Sequence, residues 1–215
     1  VKEVTGTEEE IKNKYSHWRL RIFYACFIGY TVFYLCKKNI AVALPGLSAE
    51  FGYSNMELGL LGSSLYLTYG IGKFVNGVLA DSSDVRKFLP TALIMSALAN
   101  LCFLASAMLI TPGHVSFFGL PAKSVLLWVF AFFWGANGWF QSAGFPAVAK
   151  SLTYWYSNSE RGTKWSLWSC SHQVGTFLSV IVSGFLVAHY GWKMAFLVPS
   201  LLALMVALWL INRLR

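Results

Sequence analysis

Apolar positions along this chain come in long runs separated by short polar breaks. After a polar start through residue 17, Trp18, Arg19 and Arg21 mark an interface, and an apolar segment follows over about 20–47. The break Ser48–Asn55 leads into a second segment over about 56–80, closed by the charged turn Asp81–Lys87. A third covers about 88–110, and Thr111–Ala122, with two prolines and two glycines, is a loop. The fourth covers about 123–150, the polar stretch Tyr154–Lys164 follows, and the fifth covers about 165–190. Gly191 and Trp192 turn the chain into a sixth segment over 192–212. Each run reaches the ~20 residues that an α-helix needs to cross a bilayer. The pattern predicts an all-α membrane protein: a six-helix bundle over 18–215 behind a polar N-terminal segment, 1–17. No alternating ten-residue pattern of a membrane barrel is visible.

Composition sharpens this reading. Hydrophobic residues make up 56% of the 215 and charged residues only 12%, about half the share of charge in a soluble domain. The missing polar surface therefore faces lipid. The net charge of +8 does not indicate nucleic-acid binding, because the basic residues sit at segment ends instead of forming one helical stripe. Cys26, Cys36, Cys102 and Cys170 all fall inside apolar segments, at spacings that suit neither zinc nor a disulfide framework. They read as small buried hydrophobes, and no metal or cofactor is expected. The polar start carries no pattern of a secretory signal.

Charge placement then predicts orientation. Six crossings put both termini on one side, with Lys2, Lys12, Lys14, Arg19, Arg21, Arg86, Lys87, Lys150, Arg161, Lys164, Arg213 and Arg215. Only Lys123 and Lys193 lie on the other. Basic residues favour the cytoplasmic face, so both ends are expected there.

Lys37, Lys38 and Lys73 lie within the segments themselves. A lysine at the bilayer centre costs about 2.5–3.5 kcal/mol on insertion scales and marks function by default. At about 1.5 Å per residue, Lys37 is roughly 24 Å along its helix from Arg21 and roughly 20 Å from Glu50, and Lys73 is roughly 12 Å from Asp81. No acidic residue lies deep in any segment. Buried cations without a built-in carboxylate point to an anionic ligand; the competing reading is an architectural cavity of backbone carbonyls and water. Tyr30, Tyr34 and Lys37 follow one helical line, as do Tyr66, Tyr69, Lys73 and Asn76. Asn137 with Gln141, and Lys164, Trp168 and His172, repeat every four residues. Such donors suit a phosphate or sugar phosphate. Spacing leaves open which of Lys37 and Lys38 faces the cavity.

Several strings together resemble the organophosphate:phosphate antiporter family of the major facilitator superfamily. They are Gly29-Tyr30, Tyr34-Leu35-Cys36-Lys37-Lys38-Asn39, Tyr69-Gly70-Ile71-Gly72-Lys73-Phe74 and Gly77-Val78-Leu79-Ala80-Asp81 followed by Arg86. Gly138-Trp139-Phe140-Gln141, Gly144-Phe145-Pro146, Glu160-Arg161-Gly162 and Ser171-His172-Gln173-Val174-Gly175 continue the match. Within that family the strings are most similar to hexose-phosphate members, transporters and a transporter-like sensor alike. The resemblance implies a fold of two six-helix halves with the site between them, of which this chain is the N-terminal half, lacking its C-terminal partner.

The resemblance also implies a phosphate-binding cation at Lys37, a second at Lys73, a substrate-proximal imidazole at His172, and cavity aromatics at Tyr30, Tyr34, Tyr69, Trp139 and Trp168. It makes Gly77, Asp81 and Arg86 parts of the superfamily's signature turn, where Asp81 is expected to accept hydrogen bonds from a helix terminus or pair with a basic residue. Plain capping is the simpler alternative. Lys37 departs from the family, which has arginine there, and loses the bidentate fork. The implied activity is exchange of an organic phosphate, hexose 6-phosphate above all, for inorganic phosphate across a bacterial inner membrane; the alternative is a sensor reporting sugar phosphate to a membrane kinase. No catalytic residue is expected, since Ser169, Ser171 and His172 splay around a helix and cannot converge as nucleophile and base.

Overall fold

The computed structural model describes residues 7–110 and 121–214. Most of the expected loop Thr111–Ala122, together with Lys2 and Arg215 of the charge count, lies outside them. The described residues form seven helices: α1 (Glu8–Phe51), α2 (Asn55–Ser82), α3 (Val85–Leu109), α4 (Ala122–Gln141), α5 (Gly144–Trp155), α6 (Asn158–Tyr190) and α7 (Met194–Arg213).

Local chemistry places the ends. Thr7 and Glu10 form a capping box at the start of α1, as Ser54 and Glu57 do for α2, each pair satisfying two otherwise orphaned N–H groups. Gly52, at φ 65°, ends α1 in the left-handed conformation that costs glycine least. The expected polar segment 1–17 therefore does not stand apart over its described part: α1 takes in residues 8–17 and is 44 residues long. At about 1.5 Å per residue it runs roughly twice the ~30 Å hydrocarbon thickness.

The fourth segment also differs from expectation, being broken at Ser142–Ala143 between α4 and α5. Pro146 has no N–H to donate to the carbonyl of Ser142, and the ladder is re-formed around the gap by Ser142 N–H to Gly138 (3.1 Å), Ala143 N–H to Phe140 (3.2 Å) and Ala147 N–H to Ala143 (3.3 Å). Among the described residues α1, α3, α6 and α7 are long and apolar enough to cross a membrane. The helix α2 and the pair α4–α5 make up the other two segments of the sequence reading.

In the packing, α1 lies against α6 and α7, α2 against α4, and α3 against α4 and α7, while α1 and α2 scarcely touch. Two apolar cores result. One gathers Ile22, Phe33, Leu89, Leu93, Leu152 and Leu210. The other gathers Leu47, Leu61, Phe103, Phe130, Trp134 and Phe196, with the Phe103 ring stacked between Phe130 and Phe196 at 4.3 and 4.5 Å. Along α1, α3 and α4 a layer of buried amides, Asn39, Asn100, Asn137 and Gln141, separates the two cores in chain order.

Cys26 and Cys36 are buried, as small hydrophobes should be, but Cys102 and Cys170 are exposed on the helix surface. Membrane-facing helix surfaces are apolar too, so a cysteine in an apolar run need not be interior.

Candidate anion-binding site

The weak contact of α1 with α2 leaves a cleft, and side chains bridge it. Lys37, 8% exposed, sends its amine over the ring of Tyr69, 3.5 Å from the centroid, with the Tyr34 ring at 5.5 Å. From α2, the amine of Lys73 approaches the same Tyr69 ring at 5.1 Å and that of Phe145 at 5.5 Å. Two cations thus share one aromatic ring, whose negative face favours them. The ion pairs among the described residues are Arg19–Glu160, Arg86–Asp84, Lys123–Glu57 and Lys193–Glu50, each with at least one partner near a helix end. Neither Lys37 nor Lys73 is in one. Lys73 is exposed, beside Phe145 of α5.

A string of rings continues from Tyr34 along the close contact of α1 with α6. Trp168, 2% exposed, packs on Tyr30 at 4.7 Å; Tyr30 meets Tyr34 at 5.5 Å, and Tyr34 meets His172 at 5.8 Å. Close approach of α6 makes this possible: Gly175 lies where a Cβ would fall 2.6 Å from the carbonyl oxygen of Thr31. Lys37, Lys73, Tyr30, Tyr34, Tyr69, Trp168 and His172 are therefore contiguous. Trp139 is positioned differently. Its described hydrogen bonds are those of its backbone carbonyl, which accepts from Asn76 Nδ2 (3.0 Å) and Ser142 Oγ (2.6 Å).

Lys38 also crosses the cleft, donating to the hydroxyl of Tyr66 at 3.3 Å. The choice that spacing left open is thus no choice, because successive lysines meet successive tyrosines of α2. Asn137 and Gln141, expected in the polar lining, instead face inward. They are 0% and 4% exposed and hydrogen-bond carbonyls of α1. Asn76 likewise ties α2 to α4. Four-residue spacing puts amides on one face but does not say what that face meets.

Sequence reasoning missed Phe145, which bridges Lys73 and the Trp165–Trp168 pair at 5.7 and 6.0 Å. Its signal was the helix break beside it. Lys73, Gly77, Asp81, Phe145, Lys150 and Tyr154 line a cleft of about 720 Å³.

The signature turn is organised differently from expectation. Lys150 of α5 donates to the carbonyls of Ala80 (2.9 Å), Asp81 (2.8 Å) and Ser83 (2.8 Å), placing a cation on the negative end of α2. Asp81 thus engages a basic residue through its backbone carbonyl. Arg86 pairs with Asp84, whose carboxylate also caps α3. The backbone N–H of Arg86, then its guanidinium, hold the Asp84 carboxyl below the usual carboxylate range. Gly77 is partly buried, with open space where a Cβ would stand.

An all-helical membrane bundle with an unpaired cationic, aromatic-lined cleft has the make-up of a solute transporter. The chain belongs to the Major Facilitator Superfamily, whose family description matches residues 26–215. It is 44% identical over its whole length to a probable hexose phosphate transport protein of Chlamydia pneumoniae, and 35% identical over 97% of its length to the membrane sensor protein UhpC of Salmonella typhimurium. The chain spans 43% of the length of each of these relatives. Among solved structures, a bacterial homolog of the human lysosomal transporter Spinster, inward-facing and unoccupied, superposes with a TM-score of 0.70 at 18% identity, over 92% of this chain and 43% of that one. That likeness concerns the fold.

Proposed function

We propose that the protein containing this chain is an antiporter that exchanges an organic phosphate, hexose 6-phosphate above all, for inorganic phosphate by alternating access. The observation that carries the reading is the Lys37 amine, buried against Tyr69 with no carboxylate beside it. Lys37 and Lys73 would neutralise the phosphate, His172 and the tyrosines Tyr30, Tyr34 and Tyr69 would donate hydrogen bonds to it, and Trp168 and Trp139 would pack on the sugar. Charge-assisted hydrogen bonds are about twice as strong as neutral ones, and the ligand removes the cost of an uncompensated cation in lipid. The C-terminal six-helix half would supply the facing cations, and closure of the halves around bound phosphate would carry the solute across.

This reading takes the chain as six crossings, with α4 and α5 forming one, and both ends on the cytoplasmic face of a bacterial inner membrane. Gly77, Asp81 and Arg86, with Lys150, would hold the α2–α3 turn in one conformation. The transporter fold and the splayed hydroxyls of α6 speak against an enzyme.

A second reading, a sensor that binds sugar phosphate without moving it, draws on the likeness to the UhpC protein. Full-length protein in phosphate-loaded vesicles separates the two. Uptake of labelled hexose phosphate against internal phosphate supports exchange, and saturable binding without uptake supports sensing.

A further inference from the structure

The Lys37 turn of α1 is held from behind. The peptide carbonyl of Cys36, bonded directly to the nitrogen of Lys37, accepts two side-chain hydrogen bonds, from Asn137 Nδ2 at 2.9 Å and Asn100 Nδ2 at 3.2 Å. One turn earlier, the carbonyl of Phe33, which the helical ladder pairs with the Lys37 N–H, accepts from Gln141 Nε2 at 2.8 Å. The donors are themselves locked. Ser96 Oγ donates to Asn137 Oδ1 (2.6 Å) and accepts from Gln141 (2.8 Å), and Asn100 takes a bond from Asn39 Nδ2 (3.1 Å) while donating to the Ser96 carbonyl (3.1 Å). Asn39, Ser96, Asn100 and Asn137 are 0% exposed and Gln141 is 4%.

This layer is more polar than packing requires. Helix carbonyls are already satisfied by their own ladder, and amides at these points could be leucines at less desolvation cost. What the amides add is direction: three donors from α3 and α4 aim at the two carbonyls that set the height and rotation of the Lys37 turn. On the opposite side of that turn, Lys37 and Tyr34 enter the cleft.

We infer that Asn100, Asn137 and Gln141 are positioning residues that fix the Lys37 amine in the cleft and thereby set phosphate affinity. The inference rests on the anion reading of Lys37. Coordinating groups are held by a locked supporting layer elsewhere, and loosening such a layer commonly costs ~10-fold or more in affinity.

The test uses full-length protein with Asn137→Leu and, separately, Asn100→Leu; each leaves the Cys36 carbonyl one amide donor, which favours folding. Phe103→Leu serves as a control that loosens the aromatic core without touching the turn. The rate at which a lysine-directed reagent labels Lys37 is read by mass spectrometry, with Lys73 as internal standard, and binding of labelled inorganic phosphate is measured alongside. Both amide variants are expected to raise Lys37 labelling severalfold with Lys73 unchanged, and to weaken phosphate binding about tenfold. Phe103→Leu is expected to lower the Tm while leaving both quantities alone. If the amide variants lower only the Tm, the inference is overturned. If Lys37 labelling rises but Lys37→Ala binds phosphate like wild type, positioning stands and the anion reading of Lys37 fails.

Discussion

At the residue scale the molecule turns on where cations are paired and where they are not. Lysines at helix ends find partners: Lys123 meets Glu57 at 3.2 Å, Lys193 meets Glu50 at 2.7 Å, and Lys150 meets three carbonyls. Lys37 finds an aromatic face. Replacing it with alanine removes a charge-assisted contact worth about 1.5–3 kcal/mol, so phosphate affinity of the full-length protein is expected to fall about 10- to 100-fold. Lys37→Arg keeps the charge and adds the planar fork, so affinity should hold or rise in a titration with labelled phosphate. The Asp84 cap gives a separate prediction. Its folded carboxyl lies below the ordinary value of about 3.9, held there first by the Arg86 N–H and then by the guanidinium. The ionised cap therefore stabilises fully above that ordinary value, and the contribution is lost as pH falls through the lower folded value. The Tm difference between wild type and Asp84→Asn should stay constant from neutral pH to about 4 and shrink below it. A difference that grows on acidification would contradict the assignment.

At the scale of elements, helix existence was legible and helix detail was not. Long apolar runs must be helical in lipid because every backbone group needs an internal partner, and the seven helices of the described residues fall in the six expected segments. The ends moved outward where capping chemistry reached beyond the apolar run, as at Thr7 and Glu10. Pro146 marked the fourth segment, yet a proline alone does not separate a kink from a break. Which face of a helix meets which neighbour was least legible. Periodicity grouped Asn137 with Gln141 correctly, but their partners are carbonyls of α1, more than a hundred residues away in sequence. By contrast, the tyrosine and lysine lines of α1 and α2 do converge, with the Lys37 amine over the ring of Tyr69. The α1–α6 seam offers the sharpest test of packing. Gly175→Ala would press a Cβ onto the α1 backbone at Thr31, and overpacking of this kind costs about 1–3 kcal/mol. The Tm should drop by several degrees, whereas Gly59→Ala, with open space around it, should leave it unchanged or raise it slightly. Equal Tm values for the two variants would show that the seam is not tight.

At the scale of the whole molecule, α2 and α6 carry long rows of exposed apolar residues, including Leu67, Phe74 and Val78 on α2 and Phe177, Ile181 and Phe185 on α6. In the proposed reading such rows face lipid or the remainder of the protein, since the chain spans 43% of the length of its Chlamydia pneumoniae relative. The proposed orientation, drawn from the basic-residue bias, has the α2–α3 turn inside the cell and the α1–α2 turn outside. In intact cells a membrane-impermeant thiol reagent should therefore label Ser54→Cys and spare Ser83→Cys; the reverse pattern would invert the topology. The most direct measurement of all is phosphate exchange by the complete protein in proteoliposomes, wild type against Lys37→Ala. Wild type should exchange external labelled hexose 6-phosphate for internal phosphate, and Lys37→Ala should lose most of that flux. Exchange at the wild-type rate without the Lys37 amine would contradict the assignment of that buried cation to an anionic solute.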